Sequence, residues 1–310
     1  MRTLSHTEMA TFKSCHRKWW YMYILRLERE SENIDMHIGT LMHQFLAIYY
    51  TQGQQAALDF IQAHSYTLDA ATLELVNGMV SYYIKYESTT TLKPPAPGYC
   101  DQIYAEYEMQ SDVFNHLGFR LKGKADLVVR QGDTVTIWEH KFPAKAKTLI
   151  YLTTNDQVDL YHLMGSEMFT GCKVNVVLNI VQKIYPKVPK VTKQNKISRA
   201  PITTTPEIYR QAVIDNGENP EDYIDVLTTL SNIQPIVRHP VYHLDRKETI
   251  IGVRQWINEM SQYVNNMAPR VGSFLCDQCG YSDICQMGKD NYDRVMNYIN
   301  QSSWQGIKRR

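Results

Sequence analysis

GKADLVVRQGDTVTIWEHKF, Gly123 to Phe142, contains two apolar runs with charged residues set inside them. Gly132-Asp133 is a strong two-residue turn signal between Leu127-Val128-Val129 and Val135-Thr136-Ile137-Trp138, so the stretch reads as an antiparallel hairpin. A loop of those two residues sets Asp126 directly opposite Glu139. Strand side chains alternate, so Lys141 shares the face of Glu139 while His140 points to the other side. Two carboxylates and an ammonium then crowd one patch. Like charges directly across a sheet repel, so a pair kept there suits a bound cation. Oxygen donors with no cluster of soft ligands beside them suit Mg²⁺ or Mn²⁺. The hairpin by itself also allows a solvated face with an ordinary Glu139–Lys141 ion pair.

The 310 residues, 44% of them apolar, are ample for a buried core in one large or two small domains. A net charge of +1 gives the molecule no overall attraction for polyanions, so any such site must come from local clustering. One basic run exists: KIYPKVPKVTKQNKISR carries Lys183, Lys187, Lys190, Lys193, Lys196 and Arg199 without an acid. Its simplest reading is a solvated loop or a strand edge blunted by lysines, with a nucleic-acid contact second. The start, MRTLSHTEMATFKSCHRKWW, has no apolar core of signal-peptide length, and no stretch approaches a membrane span. The expectation is a cytoplasmic protein without a membrane partner. In a reducing compartment the 6 cysteines are metal-ligand candidates rather than disulfides.

Working outward from the hairpin, helices are expected over about 5–27, 36–50, 56–64 and 70–87, before TTTLKPPAPG breaks the chain. A strand follows near 102–109. Beyond the hairpin comes a helix over about 155–169, then KVNVVLNIVQKIY, a nearly all-apolar strand. Strand, helix and fully buried strand make a crossover unit, hence an α/β fold whose central mixed sheet is flanked by helices. The organisation expected is one domain over 1–310. It has a helical N-terminal part (1–98), a core (99–185), a less legible insertion (186–245), and C-terminal helices with a cysteine cluster (246–310). A helix is expected near 247–264 and a last one to about 301.

Outside the hairpin, NDQVDLYHLM places Gln157 and Tyr161 on one helical face, by itself an ordinary half-exposed stripe. GTLMHQF puts His43 four residues after Gly39, where a lone histidine is more often a satisfied core residue than a ligand. CDQCGYSDIC supplies Cys276, Cys279 and Cys285, one ligand short of a tetrathiolate site. Cys15, at the polar-to-aromatic junction FKSCHRKWWY, is the best fourth, since Cys100 and Cys172 sit in strand-edge contexts. Such a site would clasp the two chain ends. Zn²⁺ and an iron-sulfur cluster both suit thiolates.

Taken in order, Gly39-x3-His43, Gly123-x-x-Asp126, Glu139-x-Lys141 and Gln157-x3-Tyr161 resemble the successive motifs of RecB-like nucleases in the PD-(D/E)XK superfamily. With Cys15 and the trailing cysteines, the chain is similar to the iron-sulfur members, the AddB nuclease domain and the small exonucleases that accompany CRISPR loci. The matched positions span Cys15 to Cys285. One departure is Ala125, where the superfamily name advertises proline.

The resemblance implies a restriction-endonuclease-like core and a metal-dependent DNA nuclease, most plausibly an exonuclease on single-stranded ends. His43, Asp126 and Glu139 would be ligands to Mg²⁺ or Mn²⁺, with the His140 backbone carbonyl as another. Lys141 would position or deprotonate the attacking water, and Gln157 and Tyr161 would order the site helix and touch the nucleic-acid backbone. Cys15, Cys276, Cys279 and Cys285 would hold a [4Fe-4S] cluster, with Zn²⁺ the alternative. Glu106, on the strand before the hairpin, stands at the edge of this set. No G-x4-GK[ST] loop is present, so a helicase or a recombination or repair partner would supply any ATP-driven motion. The rival readings are an adaptor with a silent site on the same scaffold and a zinc-stabilised nucleic-acid-binding module.

Overall fold

The hairpin closes on the expected turn, with Gln131 paired to Thr134 and Leu127 to Trp138, but the ladder ends there, so Asp126 and Glu139, expected opposite each other, do not pair. Gly132 takes φ +57°, a left-handed value that glycine adopts at no steric cost. The computed structural model describes residues 1–29, 34–96, 98–144, 156–183, 187–231, 236–241, 245–272, 276–277, 279–288 and 307–309. In chain order these form β1 (Arg2–Leu4), α1 (His6–Ser14), α2 (His16–Trp19), β2 (Leu27–Arg29), α3 (Ile34–Gln52), α4 (Gln54–His64) and α5 (Ala70–Thr89). Next come β3 (Gln102–Ser111), β4 (Phe119–Gln131), β5 (Thr134–Lys141), α6 (Asp156–Met168) and β6 (Lys173–Val181). The last group is α7 (Pro206–Asp215), α8 (Ile224–Ser231), β7 (Ile236–Val241), α9 (Arg246–Gln262), α10 (Ser282–Gly288) and β8 (Ile307–Arg309).

The sheet is mixed, as expected. β3 and β5 run antiparallel to β4, β1 runs parallel to it, β5 and β6 are parallel around the α6 crossover, and β7 closes the edge antiparallel to β6. Leu121 pairs with both Leu4 and Ser111, and Leu127 with both Ala105 and Trp138. A residue offers one partner per edge, so β1 and β5 share one edge of β4 and β3 takes the other. Between the last β1 pair, at Leu121, and the first β5 pair, at Leu127, that edge of β4 is open. Beyond Trp138, β5 stays on β6 but leaves β4, and the two strands splay into a cleft.

Helices cover both faces. Val128, Ile137, Val176 and Leu178 pack under α1, α6 and α9, while Leu127, Val129, Trp138 and Val177 pack under α3 to α5. The alternation then reverses in the middle of the long strands. Ala105 and Leu127 face α3, yet Tyr107 and Ala125, each two residues away, face α6. The reversal centres on Glu106, whose φ of +54° is a costly conformation for a residue with a side chain. Glu106 and Asp126 would be paired in the register on either side of them, but they drop out of the ladder.

Two expectations need correction. The single N-terminal helix is broken at Cys15, whose extended backbone (φ −165°, ψ 114°) separates α1 from α2, and a π-helical turn at Trp20–Ile24 then leads into β2. The aromatic run there is buried, and fitting Trp19, Trp20 and Tyr21 into the core overrides continuous helical winding. The apolar strand at 173 ends at Val181, earlier than its sequence suggests. The insertion has its own small core, in which Tyr209, Val213, Tyr223 and Leu227 join α7 to α8, before β7 returns to the sheet. The last helix to about 301 falls outside the described residues beyond Gly288.

Candidate active site

The cleft between β4 and β5 opens into a cavity of about 510 Å³, lined by His43, Asp126, Glu139, Lys141, Gln157 and Tyr161 among others. Each arrives from a different constraint. Asp126 lies where β4 has lost its β5 partner, and its Oδ2 accepts from the His140 backbone N–H at 2.6 Å, so a side chain bridges the gap. Glu139 and Lys141 share the face toward α6, while His140 points to the other side against Asn179. Gln157 and Tyr161, one turn apart on α6, look down on Glu139. Their approach requires Gly123: a Cβ there would lie 2.7 Å from Met164 Cε and 2.9 Å from Tyr161 Cε1.

Hydrogen bonds fix most of these groups. Gln157 Nε2 donates to Glu139 Oε1 at 2.6 Å and to the Tyr161 hydroxyl at 2.9 Å, Lys141 Nζ donates to Gln157 Oε1 at 2.8 Å, and Tyr161 donates to the Lys124 carbonyl at 2.8 Å. Lys141 also pairs with Glu139 Oε1. Glu139 is 3% exposed, yet among the described residues its Oε2 has no hydrogen-bond partner. His43 Nδ1 lies 3.1 Å from Asp126 Oδ1 but makes no well-aligned hydrogen bond, so this nitrogen too is unsatisfied.

Burial, reinforced by Asp126, pushes Glu139 up to about 7. Burial would raise Asp126 as well, but His43, and His140 with its backbone N–H, hold it below the usual carboxylate value. Burial opposes a charge on His43, and Asp126 outweighs it, so the imidazole is raised. Burial drives His140 down to about 3 and keeps it neutral at physiological pH.

Three donors from three different elements converge. One donor atom each from His43, Glu106 and Asp126 lies within 4.8 Å of the others. Two carboxylates and an imidazole form a donor set that fits a hard divalent cation; Glu139 lines the cavity with His43 and Asp126 but lies outside this group. Glu106, only marginal in the sequence, is brought in by its left-handed backbone, a signal no local pattern carries. Its carboxylate also meets Lys124. His6, at the first turn of α1, lines the same cavity and was missed by sequence reasoning. Burial lowers it to about 4.

Cys279 and Cys285 pack on the core beside Tyr21 and Tyr281, and Cys100 and Cys172 lie elsewhere. Burial raises the Cys285 thiol; Arg17 and Arg270 oppose this, while Cys15 and Cys279 are near enough to add to it. Cys276 is exposed. Among the described residues no three thiols approach one another within 4.8 Å. In the basic run, Lys183 is buried, Lys190, Lys193 and Lys196 are exposed, and Arg199 binds Asp225 at 2.9 Å over the Tyr223 ring. Among the described residues no helix is long and apolar enough to cross a membrane.

A family model described as the PD-(D/E)XK nuclease superfamily matches residues 3–286. Among solved structures, the chain is similar to a candidate exonuclease from Eubacterium rectale, at 13% identity over 90% of this chain and 94% of the other, with a TM-score of 0.36. It is also similar to the protein SSO0001, at 13% identity over 92% of this chain and 85% of the other, with a TM-score of 0.39. No curated protein sequence matches.

Proposed function

The chain belongs to the PD-(D/E)XK nuclease superfamily, and we propose that it is a metal-dependent deoxyribonuclease acting as an exonuclease on single-stranded ends. The observation that carries this reading is the buried Glu139, which lines the cavity with Lys141 and Asp126 and whose Oε2 has no hydrogen-bond partner among the described residues. A buried carboxylate oxygen without a donor is costly unless a cation completes it. His43, Asp126, Glu139 and the His140 carbonyl are the proposed ligands, with Glu106 in reach. Superfamily members use divalent metals, and the His43, Glu106 and Asp126 group agrees with that.

A divalent ion bound here would neutralise charge on the phosphodiester and acidify water. The chain's own groups do the rest. Lys141 Nζ, held by Gln157 and Glu139, presents an ammonium where negative charge develops on the phosphorus oxygens. Gln157 and Tyr161 lock the Glu139 rotamer, so that only one of its oxygens remains for the metal. Asp126, tied to the His140 N–H, keeps the open edge of β4 at a fixed distance from β5.

The direct test is Mn²⁺-dependent digestion of end-labelled linear and circular single-stranded DNA, compared with duplex and RNA. Loss of linear strands while circles survive is the expected result, and Lys141→Ala should abolish it. Equal digestion of circles would overturn end-dependence, and wild-type cleavage by Lys141→Ala would overturn the lysine's role. The proposal extends to a [4Fe-4S] cluster on Cys15, Cys276, Cys279 and Cys285, a reading that rests on the order and spacing of these cysteines in the sequence. Anaerobic purification should give a brown, iron-containing protein; a colourless one with zinc would remove the cluster.

A further inference from the structure

A second cavity, of about 420 Å³, adjoins the first. Ser5 and Lys122 line both, at the open edge of β4. Its volume falls within the roughly 300–1,000 Å³ range of cavities that hold small ligands. Tyr23 and Arg26 are among the residues that line it. Arg2, also at this cavity, is committed to Glu8 and lies 5.2 Å from the Trp19 ring centre, so those two charges offset each other. Among the described residues Lys122 pairs with Glu108, at 3.1 Å. Arg26 is exposed, and among the described residues it has no ion-pair partner. The cavity is thus left with a cationic surplus next to an aromatic side chain.

The backbone here is unusual twice over. Tyr23 belongs to the π-helical turn Trp20–Ile24, and Arg26 takes φ +55°. π-turns and left-handed non-glycine residues are uncommon and concentrate at functional sites. Both departures turn side chains toward this one cavity.

A polynucleotide with one phosphodiester at Glu139 and Lys141 must put its neighbouring nucleotide within a few ångströms of that point, and this cavity is the adjoining space. Single-stranded nucleic acid is held by cations along the backbone and by bases stacked on aromatic rings. We infer that the second cavity is a nucleotide subsite, in which Tyr23 stacks the base next to the scissile phosphodiester while Arg26 and Lys122 meet the adjoining phosphate. This rests on the nuclease reading above, and the experiment separates the two.

Wild type, Tyr23→Leu and Arg26→Asn, the last chosen because asparagine tolerates positive φ, are assayed in Mn²⁺ on a short end-labelled oligothymidylate and on bis(p-nitrophenyl) phosphate, which has no base. The expected result is that kcat/KM on the oligonucleotide falls about tenfold further than on the small diester for Tyr23→Leu, the scale of one lost stacking contact. Binding of the same oligonucleotide is then followed against salt with the divalent ion chelated. Arg26→Asn should reduce the slope of log K against log salt by about 0.7, the value for one single-strand phosphate contact. Equal losses on both substrates together with an unchanged salt slope would overturn the subsite and leave the nuclease reading intact. A wild-type chain that hydrolyses neither substrate would sink the nuclease reading, and the salt slope would still decide the subsite.

Discussion

Replacing Glu139 by glutamine should stabilise the metal-free protein while destroying its metal site. The carboxyl is buried beside Asp126, which pushes it from an ordinary 4.5 to about 7. Between those values the folded chain holds a proton that the unfolded chain has released, so stability declines as pH rises through this window and stays low above it. At roughly 1.4 kcal/mol per pH unit, ionised Glu139 costs the metal-free fold on the order of 3 kcal/mol above pH 7. Glutamine removes the charge and keeps the shape, but it weakens the contact with Lys141, so a net gain of about 1–3 kcal/mol is expected at pH 8. Below about pH 4.5 the gain should vanish. Urea unfolding with a chelator present, at pH 4.5 and pH 8, measures it. In the wild type, Mn²⁺ must displace the same proton, so its apparent affinity should rise up to tenfold per pH unit until about pH 7 and then flatten. The glutamine variant should lose that slope. A Gln variant less stable than wild type at pH 8, or a difference independent of pH, would refute the reasoning.

Gly123→Ala would press a methyl group into Met164 and Tyr161, and should cost about 1–3 kcal/mol while shifting Tyr161 off Gln157; thermal unfolding and the nuclease rate should both fall. Arg238 is buried with Glu87 and also donates to Asn179 at 3.0 Å, Tyr83 at 2.9 Å and Tyr50 at 3.1 Å. Arg238→Met should therefore cost about 3–5 kcal/mol by stranding the Glu87 carboxylate, and adding Glu87→Leu should recover most of it in the same unfolding assay.

The parts of this molecule that were legible are those set by local chemistry. Gly132-Asp133 fixed a register, and alternation around it put Glu139 and Lys141 on the face away from His140. The apolar run at 173 announced a buried crossover strand because parallel strands are covered on both faces. His43 was singled out only through the ordered set of motifs; alone it looks like any helix histidine. What escaped was non-local. Nothing around Glu106 suggests a left-handed carboxylate, and the reversal of faces it imposes on β3 and β4 depends on packing against two different helical layers. The break at Cys15 escaped for a similar reason: the sequence around it is good helix, and tertiary burial of Trp19 to Tyr21 overrules it. His6 and Arg26 sit in stretches whose composition carries no signal, and only the fold lays them along the open edge of β4.

Anomalous diffraction from crystals soaked in manganese addresses the central claim most directly. The account predicts a strong peak in the β4–β5 cleft, within ligand distance of His43, Asp126 and the unpartnered Oε2 of Glu139, with Lys141 alongside. An empty cleft in those crystals, or a peak bound only at surface carboxylates, would contradict it.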